Sequence, residues 1–295
     1  MNVYPFIEAE KAQRRNVIRA CALLKVSRAA SMRTGPGRPA ASRRTLSSPG
    51  GSGRCMKESQ GRYGAPRIHA ELARRGRRHG RKRIARLMRS AGICGKAPRR
   101  WRKTTIPDPA AAARDRIRRD FTADAGQMNA RWCGDITYVG TWEGWQYLAT
   151  VIDIASRRVV GYALADHLRT ELVSAALANA LAARDPDPGV IFHSDRGCQY
   201  TSREFAALAA GSGVALSLGR TGQCWDNALS ESFFASLKGE LIDLQAWPTR
   251  AMARRAIVEY IAWYNGTRLH STLGYKTPAE FEEQDKIRKV ASKEA

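Results

Sequence analysis

Three acids each sit inside or at the end of a short apolar run, and this arrangement limits the chain more than any other feature. Asp135 lies within Trp132-Cys133-Gly134-Asp135-Ile136-Thr137-Tyr138, Asp195 ends Val190-Ile191-Phe192-His193-Ser194, and Glu231 lies in a helix-like segment from Asp226 to Lys238. Between the first two stand 59 residues, and between the second two 35. Like charges brought within a few ångströms raise one another's pKa and oppose folding. A fold that gathers these elements therefore needs a cation. Carboxylate oxygens without thiolate or clustered imidazole partners suit Mg²⁺ or Mn²⁺. Two such ions roughly 3.5–4 Å apart clamp the attacking and leaving oxygens of a phosphodiester displacement. Spacing alone is a weak signal, because 27 acidic residues offer many triples.

The words around the acids are more specific. His193-Ser194-Asp195-Arg196-Gly197-Cys198-Gln199-Tyr200-Thr201-Ser202, Asp226-Asn227-Ala228 before Glu231-Ser232-Phe233-Phe234, Trp263-Tyr264-Asn265 with Arg268 and His270, and Leu273-Gly274-Tyr275 before Thr277-Pro278 occur in one order. Over about residues 57–283 the chain resembles the DDE transposases of the insertion sequence three type, second-frame (OrfB) product. The resemblance implies a retroviral-integrase-like, ribonuclease-H-like core. In it Asp135, Asp195 and Glu231 would be catalytic and would ligate two Mg²⁺ or Mn²⁺ ions. It further implies double-stranded DNA as partner, at element ends and target, a homo-oligomer on that DNA, and a first-frame (OrfA) protein as an additional partner.

Charge supports a polyanion partner independently. Residues 1–134 hold 33 Lys and Arg against 8 Asp and Glu, whereas residues 135–295 hold 17 against 19. The whole excess is amino-terminal. Each phosphate neutralised by such a surface releases counterions and strengthens binding at low salt. The absence of a long apolar run and of a signal-peptide pattern predicts an intracellular, nucleoid-associated protein with no membrane partner. Six scattered cysteines without a close pair argue against a zinc knuckle or a disulfide framework. Cys133 and Cys198 are read as packing residues, since a soft thiol is a poor partner for Mg²⁺.

Taken in order, the chain predicts an amino-terminal helical segment (1–30). A Gly/Pro/Ser/Arg linker (31–56) follows that cannot bury a core, where the family usually carries a tyrosine and a charged helix. A small all-α helix-turn-helix domain (57–100) comes next, with Pro66, Ile68 and Leu72 in one helix and Ile84, Leu87 and Met88 in the next. The second helix carries Arg81, Lys82, Arg83, Arg86 and Arg89, suited to phosphates and a groove. After a linker (101–129), the catalytic domain (130–245) has strands at about 132–140, 145–154 and 157–164. Thr170 is expected to cap a helix to about Ala183, followed by strand 190–195, helix 202–210, strand 214–219 and the Glu231 helix. This mixed α/β order predicts one central sheet covered by helices. A carboxyl-terminal helical extension (246–285) and a tail (286–295) complete it.

Helical periodicity puts Asn227 and Lys238 near the face of Glu231, so both are read as DNA contacts, with Lys238 approaching a phosphate. His193, two residues before Asp195 in a strand, should face the same side and support the acids from behind. The carboxyl-terminal helix with its Trp263 and Arg268 words is read as a buttress of the core, with Arg268 as a candidate DNA contact. Metal-dependent DNA cleavage and strand transfer is the leading function. A ribonuclease-H-like nuclease and an inactive DNA-binding relic are the alternatives, and the amino-terminal basic arm argues against the nuclease.

Overall fold

β1 (Arg131–Thr141) is the spine of a five-stranded sheet ordered β3-β2-β1-β4-β5. β2 (Gly144–Asp153) and β3 (Val159–Ala165) run antiparallel in a meander, and β4 (Ile191–Ser194) and β5 (Ala215–Leu218) run parallel to β1. The computed structural model describes residues 52–96, 117, 120–218 and 228–291. The segments 1–30 and 31–51, most of the 101–129 linker, and Asp226 and Asn227 lie outside the described residues.

Turn chemistry fixes the register of the antiparallel half. Trp142 and Glu143 close the first hairpin, where Thr141 Oγ1 donates to Gly144 O at 2.7 Å and Gly144 adopts φ +104°. In the second, Asp153 Oδ1 accepts from Ser156 N at 2.8 Å, and Arg157 takes φ +63°. That turn occupies the positions expected to open β3, which therefore starts at Val159.

Helices cover both faces. α4 (Thr170–Arg184) and α5 (Arg203–Gly211) bury one side over Trp132, Val151, Leu177, Phe192 and Phe205. α6 (Ala228–Glu240) and α7 (Arg250–Gly266) bury the other over Cys133, Leu148, Phe233, Leu237 and Tyr260. Each fully buried large apolar side chain contributes about 1.5–3 kcal/mol relative to exposure. Gly161 lets α4 lie against β3, because a Cβ there would stand 2.5 Å from the Ala176 carbonyl oxygen. α4 begins after Arg169, so Thr170 is its first helical residue and not its cap. Ser202 and Thr249 do cap α5 and α7, each accepting from the amide three residues on.

Three boundaries differ from expectation. α1 (Ser52–Glu58) occupies the end of the predicted linker, where Cys55, Met56, Lys57 and Glu58 replace the Gly/Pro/Ser pattern. α8 (Pro278–Ala291) carries helix through most of the expected tail, held by buried Glu282, which pairs with Arg184 at 2.7 Å and with Arg158 at 2.6 Å. The third concerns α2 (Ala65–Arg74) and α3 (Arg81–Ser90). They bury Ile68, Leu72, Ile84 and Met88 as the periodicity predicts. However, residues from Gln60 onward form one compact unit, so these helices are docked onto the sheet domain's carboxyl-terminal half and not merely tethered to it.

That dock is polar and aromatic. The Arg62 guanidinium lies 4.4 Å over the Trp263 ring and donates through Nε to Glu240 O at 3.2 Å. Tyr63 Oη donates to Thr267 O and accepts from Leu269 N, and Arg67 Nε donates to Leu269 O at 3.0 Å. These partners are backbone groups and a ring that the helix-turn-helix pattern alone could not identify, and Arg74 adds a 2.8 Å bond to the Glu280 carboxylate.

Candidate active site

The acids are positioned where β1 and β4 part. Their pairing runs from Arg131↔Ile191 to Cys133↔His193 and stops there, whereas β1 continues to Thr141. Crevices outside the carboxyl ends of parallel strands are the usual ligand positions in sheets of this kind. Gly134 permits the close contact at the parting point, since a Cβ there would stand 2.2 Å from Phe192 Cζ. Asp135 follows it directly, and Asp195 follows the last residue of β4.

Asp135 and Asp195 line one cavity of about 220 Å³, together with Ile136, Tyr138, Tyr147, Leu168, Gly197, Gln199 and Tyr200. Asp195 is exposed, and its Oδ1 accepts from Gly197 N at 3.0 Å, which orients the carboxylate. Asp135 is partly exposed at the cavity wall, with its Oδ1 accepting from Ile136 N at 2.8 Å. Burial above all, opposed by the Ile136 amide and Lys238 and helped by the charges of Asp195 and Glu231, pushes its pKa up to about 7. Glu231 sits half-buried in the first turn of α6 and is also raised, by burial. It does not line the cavity, and among the described residues no three His, Cys, Asp or Glu side chains are close enough to enclose an ion.

The donor set nevertheless suits a hard divalent cation. The two charged groups lining the cavity are carboxylates, and a cation would relieve the desolvation and repulsion that lift Asp135. Cys133 is kept apart from this chemistry. It is buried on the α6 side, accepts from Ser230 Oγ at 3.3 Å, and is pushed up to about 12 by burial. Cys198, expected to pack, is exposed instead.

Lys238 projects from α6 with its Nζ 5.3 Å from the Tyr138 ring centroid, near enough to lower the Asp135 pKa. His193 is buried, shares a 2.9 Å hydrogen bond between Nδ1 and Ser217 Oγ, and meets Phe121 edge-on. Because β4 ends at Ser194, strand alternation does not carry over from His193 to Asp195. On α3, Arg81, Lys82, Arg86 and Arg89 are exposed and Arg83 is partly so. Asn227 is outside the described residues.

Arg268 buttresses the core, as expected of the segment that carries it. It is buried and bonded to Glu240, with Nη2 2.8 Å from Oε1, while Tyr260 Oη donates to the same carboxylate at 2.9 Å. Glu240 and the cavity residues Tyr138, Leu168 and Tyr200 were missed by sequence reasoning. Tyr138 carried a signal, because it ends the quoted Asp135 word and β-alternation pairs it with another aromatic.

Residues 125–224 match the Integrase core domain family, residues 212–278 match a second family also described as Integrase core domain, and residues 54–101 match the HTH-like domain family. The transposase for insertion sequence element IS629 of Shigella sonnei is 37% identical over 229 residues, covering 78% of this chain and 76% of that protein. The chain belongs to the insertion sequence three family of transposases. A second relative, the transposase for insertion sequence element IS904 of Lactococcus lactis, is 39% identical over 76% of this chain and 89% of its own length. Among solved structures, the HTLV-2 integrase catalytic core in complex with magnesium is 18% identical, with TM-score 0.42, over 52% of this chain and 97% of that one. Within this transposase chain, Asp135 and Asp195 fall in the first matched core segment, Glu231 and Lys238 in the second, and the α3 cations in the HTH-like segment. No helix among the described residues is long and apolar enough to cross a membrane.

Proposed function

We propose that this transposase cuts DNA at the ends of an insertion sequence and joins the freed ends to target DNA, with Asp135, Asp195 and Glu231 as its catalytic carboxylates. The observation that carries this reading is Asp135. Its carboxyl is lifted to about 7 by burial and by the other two acids, inside a cavity that it shares with Asp195. A site that is this short of positive charge is built to receive it.

Asp135 and Asp195 would hold two Mg²⁺ or Mn²⁺ ions, with Glu231 completing one of the sites. When bound, the ions would supply Lewis acidity and a lowered pKa for an attacking water or 3′-hydroxyl. The chain's own groups orient and hold. Gly197 N fixes the Asp195 carboxylate. Lys238 engages a phosphate beside the acids, Asn227 contacts the strand nearby, and His193 stiffens the end of β4 through Ser217. Arg81, Lys82, Arg83 and Arg86 neutralise phosphates of the bound element end. Direct attack on phosphorus needs no covalent enzyme intermediate. The working form is a homo-oligomer on double-stranded DNA in the nucleoid, with a first-frame protein as a further partner.

The test is a cleavage and joining assay on oligonucleotides bearing the repeats that flank the element. Mg²⁺-dependent nicking at the repeat and joined products are expected. Binding without either product would leave only a DNA-binding relic. Cleavage confined to RNA–DNA hybrids would identify the nuclease alternative.

A further inference from the structure

Beside the acids lies an apolar surface that phosphoryl transfer does not use. Tyr138 is 56% exposed and Trp145 is 52% exposed, unusual for large rings in regular strands, where burial is the common fate. Tyr138 stands opposite Tyr147 across β1 and β2, and Trp145 stands opposite Gly140. The Tyr138 and Trp145 rings meet edge-to-face, centroids 5.0 Å apart. This contact fixes the ring planes and so leaves a preformed face. Tyr138, Tyr147 and Leu168 all line the cavity that holds Asp135 and Asp195.

We propose that Tyr138, braced by Trp145 and Tyr147, is a stacking ledge for one unpaired nucleobase next to the phosphodiester that the acids address. The inference rests on the DNA-cutting reading above and deepens it by naming what the site selects, which is a strand whose terminal base has left the duplex.

Three observations select a base as the occupant. The rings adjoin two carboxylates, which repel phosphate oxygens but not the flat face of a base. Lys238 Nζ lies over one face of the Tyr138 ring, 5.3 Å from its centroid, so a cation stands on that side for the backbone belonging to a base stacked on the other. Finally, β1 has no β4 partner beyond Cys133, so among the described residues β4 does not cover that strand edge beside the cavity. Every base presents a π-face, so a ledge of this kind tolerates sequence and discriminates unpaired from paired ends.

The test uses the full chain without divalent metal and two synthetic DNAs, a blunt duplex and the same duplex with a short single-stranded overhang carrying 2-aminopurine. Binding of the overhang should quench the probe's fluorescence. Tyr138→Ala should abolish most of the quench and weaken overhang binding about tenfold, Tyr138→Phe should keep both, and blunt-duplex affinity should not change. Quenching by Tyr138→Ala equal to the parent's would overturn the proposal, as would equal weakening on both DNAs. A change in self-association alone would also overturn it, by making the ledge a contact between copies. Metal-dependent cleavage by the parent is measured in parallel. Cleavage without Tyr138-dependent quenching sinks only the ledge, while Tyr138-dependent quenching without cleavage supports the ledge and sinks the DNA-cutting reading.

Discussion

Glu240 and Arg268 form a buried ion pair, Oε1 to Nη2 2.8 Å, at the junction of α6, the segment after α7 and the docked α2. Tyr260 Oη and Arg268 Nε share the same carboxylate, and the Glu240 carbonyl accepts from Arg62. One acid thus ties the helix bearing Glu231 to the helix-turn-helix region. Removing one partner of a buried pair leaves an uncompensated charge and costs about 3–5 kcal/mol. Glu240→Ala should therefore lower stability to denaturant by roughly that amount. Glu240→Leu combined with Arg268→Met should recover part of the loss. Urea unfolding of both variants checks this, and an unchanged midpoint for Glu240→Ala would deny the pair its structural role.

The dock makes the sheet domain dependent on its amino-terminal neighbour. A fragment of residues 130–291 loses Arg62 from the Trp263 ring and Tyr63 from Thr267 and Leu269. It should melt several degrees below a fragment of residues 60–291. It should also bind DNA more weakly and with a shallower salt slope, because the α3 cations are gone. Paired thermal melts and binding titrations in increasing salt measure both effects. Equal melting temperatures and equal slopes would contradict the account.

Asp135 sets a pH signature for the metal-free protein. Its native pKa of about 7 stands above the roughly 4 of an unfolded chain. The folded state therefore binds this proton more tightly. Stability is fully present below about 4 and declines as pH rises toward 7. Asp135→Asn removes the titrating group. It should match the parent near pH 4, then exceed it increasingly up to pH 8. Added Mg²⁺ should stabilise the parent at pH 8 and not the variant. Thermal melts across that range give the answer, and parallel curves for the two proteins would rule the signature out.

How much was legible depended on how local the cause was. The three antiparallel strands, the two parallel strands and the helices between them were readable because apolar runs and turn residues encode them within a few positions. The helix-turn-helix pair was readable for the same reason, through Ile68, Leu72, Ile84 and Met88. The dock was not, because Arg62 finds Glu240 across 178 positions and Tyr63 finds Thr267 across 204. The buttress role of the segment that carries Arg268 was readable, but its partner Glu240, 28 positions upstream, was not. At the candidate site, the flanking words singled out Asp135 and Asp195, which the fold brings into one cavity. The Tyr138 ledge depends on β1 outrunning β4, a length mismatch that only pairing reveals.

The central claim is that the cavity shared by Asp135 and Asp195 performs DNA cleavage. It is tested most directly by Asp195→Asn in the Mg²⁺-dependent assay on the element's flanking repeats, beside metal-free thermal melts of the same samples. The account predicts loss of nicking and joining by at least about a thousandfold, with folding intact and DNA binding retained, because the exposed carboxylate supports no core contact. Cleavage by the variant at the parent's rate would contradict it.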